Sequence, residues 1–359
     1  MRRSPLVLAS SLTLMMALSA CANGSTHSSS GSATPTTAAS STPAASSSAS
    51  APSATASGAA PSASAATTTG PALPAGTELP TATGKYGDKP TLTFPAKTGA
   101  PTKLSSKVLV QGTGPVVAKN DLLMADYLGQ IWGGKVFDNS YDRKAPTGFT
   151  IGAGKVIPGW DKALVGLKAG TRILLSIPPA DGYGTAGQPS AGIKATDTLV
   201  FVVDVIASYN KSVSADPKAT MQTLPAAGPQ VSGPLTGAPT ITIPAGAAQP
   251  TKAAATVVDK GTGKPVGTGT IVVQYVVVSW TGQAVDSTWT TGSPAAFPIG
   301  GTQATVFDQL KGDPIGSRVL LVLPASSTQT SASASPTTQP AVAVAVDIVA
   351  EVPTAKNAP

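Results

Sequence analysis

The sequence predicts an α+β protein made of two tandem domains, each a mostly antiparallel sheet with one short helix laid on it. Three observations predict this. The chain after residue 84 repeats itself, its apolar residues fall mainly in strand-like runs, and one segment of the first repeat carries a helical stripe. At 359 residues the chain has room for two ordinary domains plus accessory segments.

The repeat is direct. Pro90 to Lys103 reads PTLTFPAKTGAPTK and Pro239 to Lys252 reads PTITIPAGAAQPTK. The same spacing carries Gly112-Thr113-Gly114 onto Gly261-Thr262-Gly263. One residue less carries Tyr127 onto Tyr275, Trp132 onto Trp280, Asp138 onto Asp286 and Phe149 onto Phe297. Further on, Arg172-Ile173-Leu174-Leu175 matches Arg318-Val319-Leu320-Leu321. Self-similarity at this scale marks a duplicated folding unit. The expected units are 84–210 and 235–353, with 211–234 as a Pro-, Gly- and Ala-rich linker.

Within the first unit, Thr198 to Ala207 (TLVFVVDVIA) places Leu199, Phe201, Val203 and Val205 on one face of a strand. Leu122 to Gly129 and Arg172 to Pro178 are further β-rich runs bounded by Gly or Pro. Pro158 suits the first position of a helix, because its missing N–H has no partner to lose there. Trp160, Ala163, Leu164 and Leu167 then follow at helical spacing, and Gly170 is the expected stop. Neither sheet nor helix can bury its apolar side alone, so the stripe must lie on the sheet.

The N-terminus reads as an address and a spacer. Residues 1–20 have Arg2 and Arg3, then an apolar core from Leu6 to Leu18, too short and Ser-rich for a good spanning helix. Leu18-Ser19-Ala20-Cys21 resembles a bacterial lipobox, in which the cysteine is lipidated and becomes the new N-terminus. Residues 21–83 are rich in Ser, Ala, Thr and Pro, and up to about Gly70 they lack any apolar period. They read as a disordered tether with a coil reach of roughly 40 Å. The expected location is therefore extracytoplasmic, lipid-anchored to a bacterial cell membrane through Cys21.

Composition excludes much chemistry. The chain has one Cys, Cys21, and one His, His27, both before the first unit. That leaves no Cys/His zinc cluster, no Ser-His-Asp or Cys-His machinery and no intramolecular disulfide. No metal or cofactor is expected. The net charge of +7 is scattered and includes Arg2 and Arg3, so nucleic acid is not an expected partner.

Read in order, the first unit contains Tyr127-Leu128-Gly129, Gly134 to Ser140 (GKVFDNS), Phe149, and Val156-Ile157-Pro158-Gly159-Trp160. After the helix come Gly170, Arg172, Tyr183-Gly184 and Thr198 to Phe201. This resembles the FKBP-type peptidyl-prolyl isomerases from Val108 to Ala207. Any one of these residues alone would read as core or turn; their joint order and spacing carry the resemblance. It implies a five-stranded half-barrel wrapped on a short helix, with an apolar pocket between them. It implies Trp160 as pocket floor and Tyr127, Phe137, Phe149, Val156, Ile157 and Phe201 as walls. Asp138 would be a rim carboxylate, Tyr183 the donor to the bound carbonyl, and Ile193 a loop contact. Thr147 stands where many members carry an aromatic, and Gln188 where some carry His, which bears on substrate preference and ligand affinity.

The reaction so implied suits a chain without histidine or thiol. Rotating an X–Pro bond breaks amide resonance, a barrier of about 18–20 kcal/mol. The twisted amide is less polar than the planar one, so a dry apolar pocket favours it without nucleophile, base or metal. About 7 kcal/mol of such preference gives a rate increase of roughly a hundred-thousand-fold.

The second unit keeps Tyr275, Asp286 and Phe297, but Val285 and Val344 replace Phe137 and Phe201. Val306 or Phe307 falls near the Trp160 position, and Ser326 to Gln339 replaces the Tyr183 loop. It reads as a degenerate FKBP-like copy. The expected partners are proline-containing polypeptides and the membrane, with macrolide-type FKBP inhibitors as implied ligands. Family members of the infectivity-potentiator kind dimerise through a helical N-terminal segment; no helical period stands there in this chain, so a monomer is expected. The competing reading is a non-enzymatic holdase using the same fold as a docking surface.

Overall fold

The computed structural model describes residues 78–96, 98–301, 305–328, 337–353 and 356. The expected signal segment, Cys21 and the expected tether as far as residue 77 lie outside the described residues. Two short strands come first, β1 (Thr81–Ala82) and β2 (Leu92–Thr93), paired with each other. The first main sheet then uses β3 (Ser105–Val110), β4 (Leu122–Ile131), β5 (Val136–Asn139), β6 (Thr147–Thr150), β7 (Arg172–Ile177) and β8 (Leu199–Tyr209). Its order is β3-β7-β8-β4-β5, with β6 also on β4, and every pairing is antiparallel. The helix α1 (Pro158–Leu164) lies between β6 and β7 in the chain.

The alternation in β8 sorts its side chains as expected. Leu199, Phe201, Val203 and Val205 join Trp160, Ala163, Leu164 and Leu167 in one core. Val200 and Val202 face the other way with Leu174, and that face is buried too, beneath Leu79, Ala82, Leu92, Phe94 and Trp132. A strand covered on both sides reads as a nearly continuous apolar run, which is how this one is written.

Two expectations for this unit are corrected. Residues 78–83, assigned to the tether, contain β1 and cover the sheet. The helix stops at Leu164, not at Gly170: Val165 is extended, Gly166 N–H donates to Val117 O at 2.8 Å, and Val117 N–H donates to Leu167 O at 2.8 Å. Leu167 is buried from that turn, so the apolar spacing outlasts the helix itself.

The second sheet uses β12 (Ala254–Lys260), β13 (Gly269–Ser279), β14 (Ala284–Ser287), β15 (Ala295–Ile299), β16 (Arg318–Leu323) and β19 (Val342–Val352). Its order is β14-β13-β19-β16-β12, with β15 also on β13. Substituting each strand by its counterpart reproduces the first sheet. Beyond β12 lies β9 (Thr220–Met221), and a separate pair joins β10 (Gln230–Ser232) to β11 (Thr240–Thr242). A further small hairpin pairs β17 (Ser326–Thr328) with β18 (Thr337–Gln339). The stretch 211–234 is therefore no plain linker. Ala215 N–H and Asp216 N–H bond Asp347 and Gly316, and Leu224 and Val231 pack with Ile241 and Val258. Its Pro/Gly-rich composition masks a segment whose few apolar residues have a sheet face to cover. In place of the expected single longer helix, the described residues here form one α turn, α2 (Thr288–Thr291), after β14 and a 3-10 helix at Val306–Leu310.

Each sheet carries one buried ion pair on the covered face. Arg172 and Asp204 lie opposite each other on β7 and β8, Nε to Oδ1 at 2.6 Å. Arg172 also donates to the carbonyls of Gly84 and Asp88, which straps the N-terminal hairpin to the sheet. Arg318 and Asp347 repeat this on β16 and β19 at 2.7 Å, with Arg318 donating to the carbonyls of Pro234 and Gly237. Buried guanidinium groups need this many acceptors, because an unpaired one costs several kcal/mol. Both sheets fall within one compact unit.

Candidate functional site

Five aromatic rings converge between the first sheet and α1. Trp160 is buried at the N-terminal turn of the helix, where Pro158 sets the backbone. Its ring lies edge-to-face with Phe149 at 4.8 Å, Phe201 at 5.3 Å and Tyr127 at 5.6 Å. Phe137 extends the chain from Phe201 at 5.6 Å, and Tyr127 meets Phe149 at 5.6 Å. Edge-to-face pairs each contribute about 0.5–1.5 kcal/mol beyond burial, so the rings hold one another in place.

Strand register explains the assembly. Gly129 on β4 stands opposite Phe201 on β8 and Asp138 on β5. A Cβ there would come within 2.6 Å of the Phe137 ring and 2.8 Å of the Phe201 ring. Only glycine lets both rings close over the strand.

The expected residues come together. Tyr127, Trp160, Ile193 and Phe201 are buried in this core, and Phe137, Phe149, Val156 and Ile157 pack against it half-buried. Ile193 is seated by a two-way backbone bridge to Gln188, at 2.9 and 3.0 Å. Thr147 lies on β6 opposite Ala125. Tyr183 stands at the rim, 36% exposed. Its pKa is raised by partial burial and then by the charge of Asp138, so its hydroxyl keeps its proton as a donor.

The polar edge has one member that sequence reading missed. The Tyr127 hydroxyl donates to Asp138 Oδ2. Arg143 donates to Asp138 Oδ1 at 2.6 Å and to the Tyr127 hydroxyl at 2.9 Å, with its guanidinium 5.7 Å from the Tyr127 ring. Burial and the Asp138 hydrogen bond push the Tyr127 pKa well above the ordinary tyrosine range. Burial works to lower the Arg143 pKa, but its bonds to Asp138 and Tyr127 outweigh this and raise it. Both members of the Arg143–Asp138 pair are nearly half exposed, so it contributes little to stability and mainly orients the carboxylate. Arg143 sits in a turn, and no local pattern ties it to residue 138.

The arrangement offers an apolar cradle with a neutral phenol, a carboxylate and a guanidinium along one edge. The Trp160 Nε1 proton is buried and finds no acceptor among the described residues. The floor thus carries an unused donor. No nucleophile–base pair lies in the cradle, so it can bind and desolvate but offers no covalent route.

The second unit preserves the outline and loses the cradle. Tyr275 donates to Asp286 at 2.7 Å. Val277, aligned with Gly129, is buried, and Val285 and Val344 replace the two rings that Gly129 accommodates. Phe307 is buried and stacks on Phe297 at 3.8 Å, and Phe297 lies 6.4 Å from the Tyr275 ring.

Residues 114–206 match the family described as FKBP-type peptidyl-prolyl cis-trans isomerase. An FK506-binding protein of Streptomyces anulatus is 37% identical over 121 residues, which is 33% of this chain and 97% of that protein. FkpA of Escherichia coli K12 is 41% identical over 105 residues, 29% of this chain but only 37% of FkpA. The crystal structure of FkpA from Escherichia coli aligns over 32% of this chain and 53% of that chain at 38% identity, with a TM-score of 0.28. This chain belongs to the FKBP-type peptidyl-prolyl cis-trans isomerase family.

Proposed function

We propose that the first unit isomerises X–Pro bonds of exported or surface polypeptides by holding the twisted amide in the cradle above Trp160. The observation that carries this reading is the closed set of rings around Trp160 with Asp138, Tyr127 and Arg143 on one edge. The apolar walls favour the less polar twisted amide, and the Tyr183 hydroxyl donates to the substrate carbonyl. Binding the transition state more tightly than the planar ground state is sufficient for this reaction. The second unit is a degenerate FKBP-like copy without prolyl turnover, a reading supported by its strand order and its lost rings. Lipidation at Cys21 holds the protein to the outer face of the cell membrane as a monomer, and macrolide-type inhibitors of the family occupy the same cradle.

Proline-limited refolding of a model protein tests the assignment. Phe137→Ala in the full chain should reduce kcat/KM at least tenfold while the protein stays folded. Undiminished activity would remove the cradle from the mechanism. A holdase role beside catalysis is favoured by a cleft of about 670 Å³ between the units, lined by Tyr275, Thr288 and Ser293 and by Lys119, Lys155 and Lys211. Suppression of aggregation by a turnover-deficient variant is the measurement that detects it.

A further inference from the structure

The strand β6 has two faces that meet different things. Inward, Phe149 forms the cradle wall against Trp160 and Tyr127. Outward, β6 lies on the second unit. A Cβ on Gly148 would come within 2.8 Å of Ala296 Cβ, so only glycine permits this approach. Thr150 Oγ1 donates to Ser293 Oγ at 3.2 Å. Just before the strand, the Pro146 carbonyl accepts from the buried Thr270 hydroxyl at 3.1 Å. Alongside these contacts, Leu122, Met124 and Ile206 of the first unit bury against Val272 and Val352 of the second.

In its own sheet β6 pairs with β4 alone, over four residues. A strand that short, with one hydrogen-bonded neighbour, is weakly fixed by its own sheet. The second unit supplies the missing side: a bond at each end and the Ala296–Gly148 contact in the middle. We propose that the second unit is a back-plate that sets the position of Phe149, with Ala296 and Thr270 as positioning residues for the isomerase cradle. The proposal rests on the assignment of catalysis to the Trp160 cradle. It gives a unit without turnover a direct part in catalysis, and it explains why Gly148 and Ala296 are both small. Orientation errors of about 1 Å can cost a site up to roughly a hundredfold in rate, so a displaced wall is costly.

The test uses the full chain. Ala296→Val pushes methyl groups into Gly148 without touching any cradle residue, and Thr270→Val removes the hydroxyl to Pro146 at nearly constant volume. Ala296→Val should lower kcat/KM for a proline peptide about tenfold, and Thr270→Val about threefold or more. Thr270→Ser should restore the rate. The Trp160 indole N–H resonance, beside the Phe149 ring, should shift in both valine variants at a temperature where each is folded. Val349→Ala thins the same seam away from β6 and should leave rate and resonance unchanged. Rates within twofold of wild type and an unmoved indole resonance in both valine variants would overturn the back-plate. If Phe137→Ala is also fully active, the cradle assignment itself falls, and the proposal with it.

Discussion

Replacing Asp204 by alanine tests how much the buried ion pair contributes to the first unit. The carboxylate is fully buried, and it accepts from Arg172 Nε at 2.6 Å, Arg172 Nη2 at 2.7 Å, Gly87 N–H at 2.8 Å and the Tyr141 hydroxyl at 3.0 Å. Its loss leaves a buried guanidinium with carbonyl partners but no counter-charge, at a cost of about 3–5 kcal/mol. For a folded region of this size, each kcal/mol shifts Tm by about 2–4 °C, so a drop of roughly 6–20 °C is expected. Differential scanning calorimetry at neutral pH reads it directly. The double variant Arg172→Met with Asp204→Leu removes both charges and should recover most of the loss, because apolar side chains of similar volume replace such pairs at little net cost. Its activity should not recover fully. Tyr141 loses both of its partners, and Tyr141 lies in the turn that brings Arg143 to Asp138. A Tm within about 2 °C of wild type for Asp204→Ala would refute the reasoning, since that is at most about 1 kcal/mol and means water reaches the guanidinium.

Asp138→Val and Tyr183→Phe should each slow prolyl turnover severalfold in the refolding assay while the circular dichroism spectrum stays native. Asp286→Val in the second unit should leave the rate unchanged, and a matching loss there would give that unit turnover of its own. The rate should be flat from about pH 6 to 8, because holding a twisted amide requires no proton transfer; a bell-shaped profile would reveal acid–base chemistry. Stability should instead fail in alkali: Tyr86, Tyr127, Tyr141 and Tyr275 have pKa values raised above the ordinary 10.0, chiefly by burial. A raised folded pKa gives stability that is full below about pH 10 and lost as pH climbs towards the folded values, so denaturant midpoints should fall above pH 10. Cys21→Ser should release the protein from the membrane fraction with activity intact, and unchanged partitioning would discard the lipobox.

Much of the cradle was legible because it is written locally. Pro158 and Trp160 mark a helix start, and alternation along β8 puts Phe201 on the core side. Phe137 and Asp138 stand side by side in one short run, GKVFDNS, and fall on one short strand. The repeat likewise foreshadowed a second sheet with the strand order of the first, since the Tyr275, Asp286 and Phe297 matches are direct identities. These signals depend on side-chain period and residue type, and both are properties of neighbouring positions.

Tertiary structure decided what those faces meet. Nothing near residue 143 announces that its guanidinium reaches across to Asp138 and Tyr127. The tether's last residues and the supposed linker became covering segments because a sheet with two apolar faces must bury both. A few residues such as Leu79, Leu224 and Val231 suffice for that, within stretches whose composition reads as loop. The end of α1 was set by hydrogen bonds to Val117, far back in the chain, while the apolar spacing ran on. Residues 84–210 looked self-sufficient, yet Leu122, Met124 and Ile206 are covered by the second unit. Periodicity tells which side of an element avoids water, but the partner on that side is fixed only when distant segments compete to cover it.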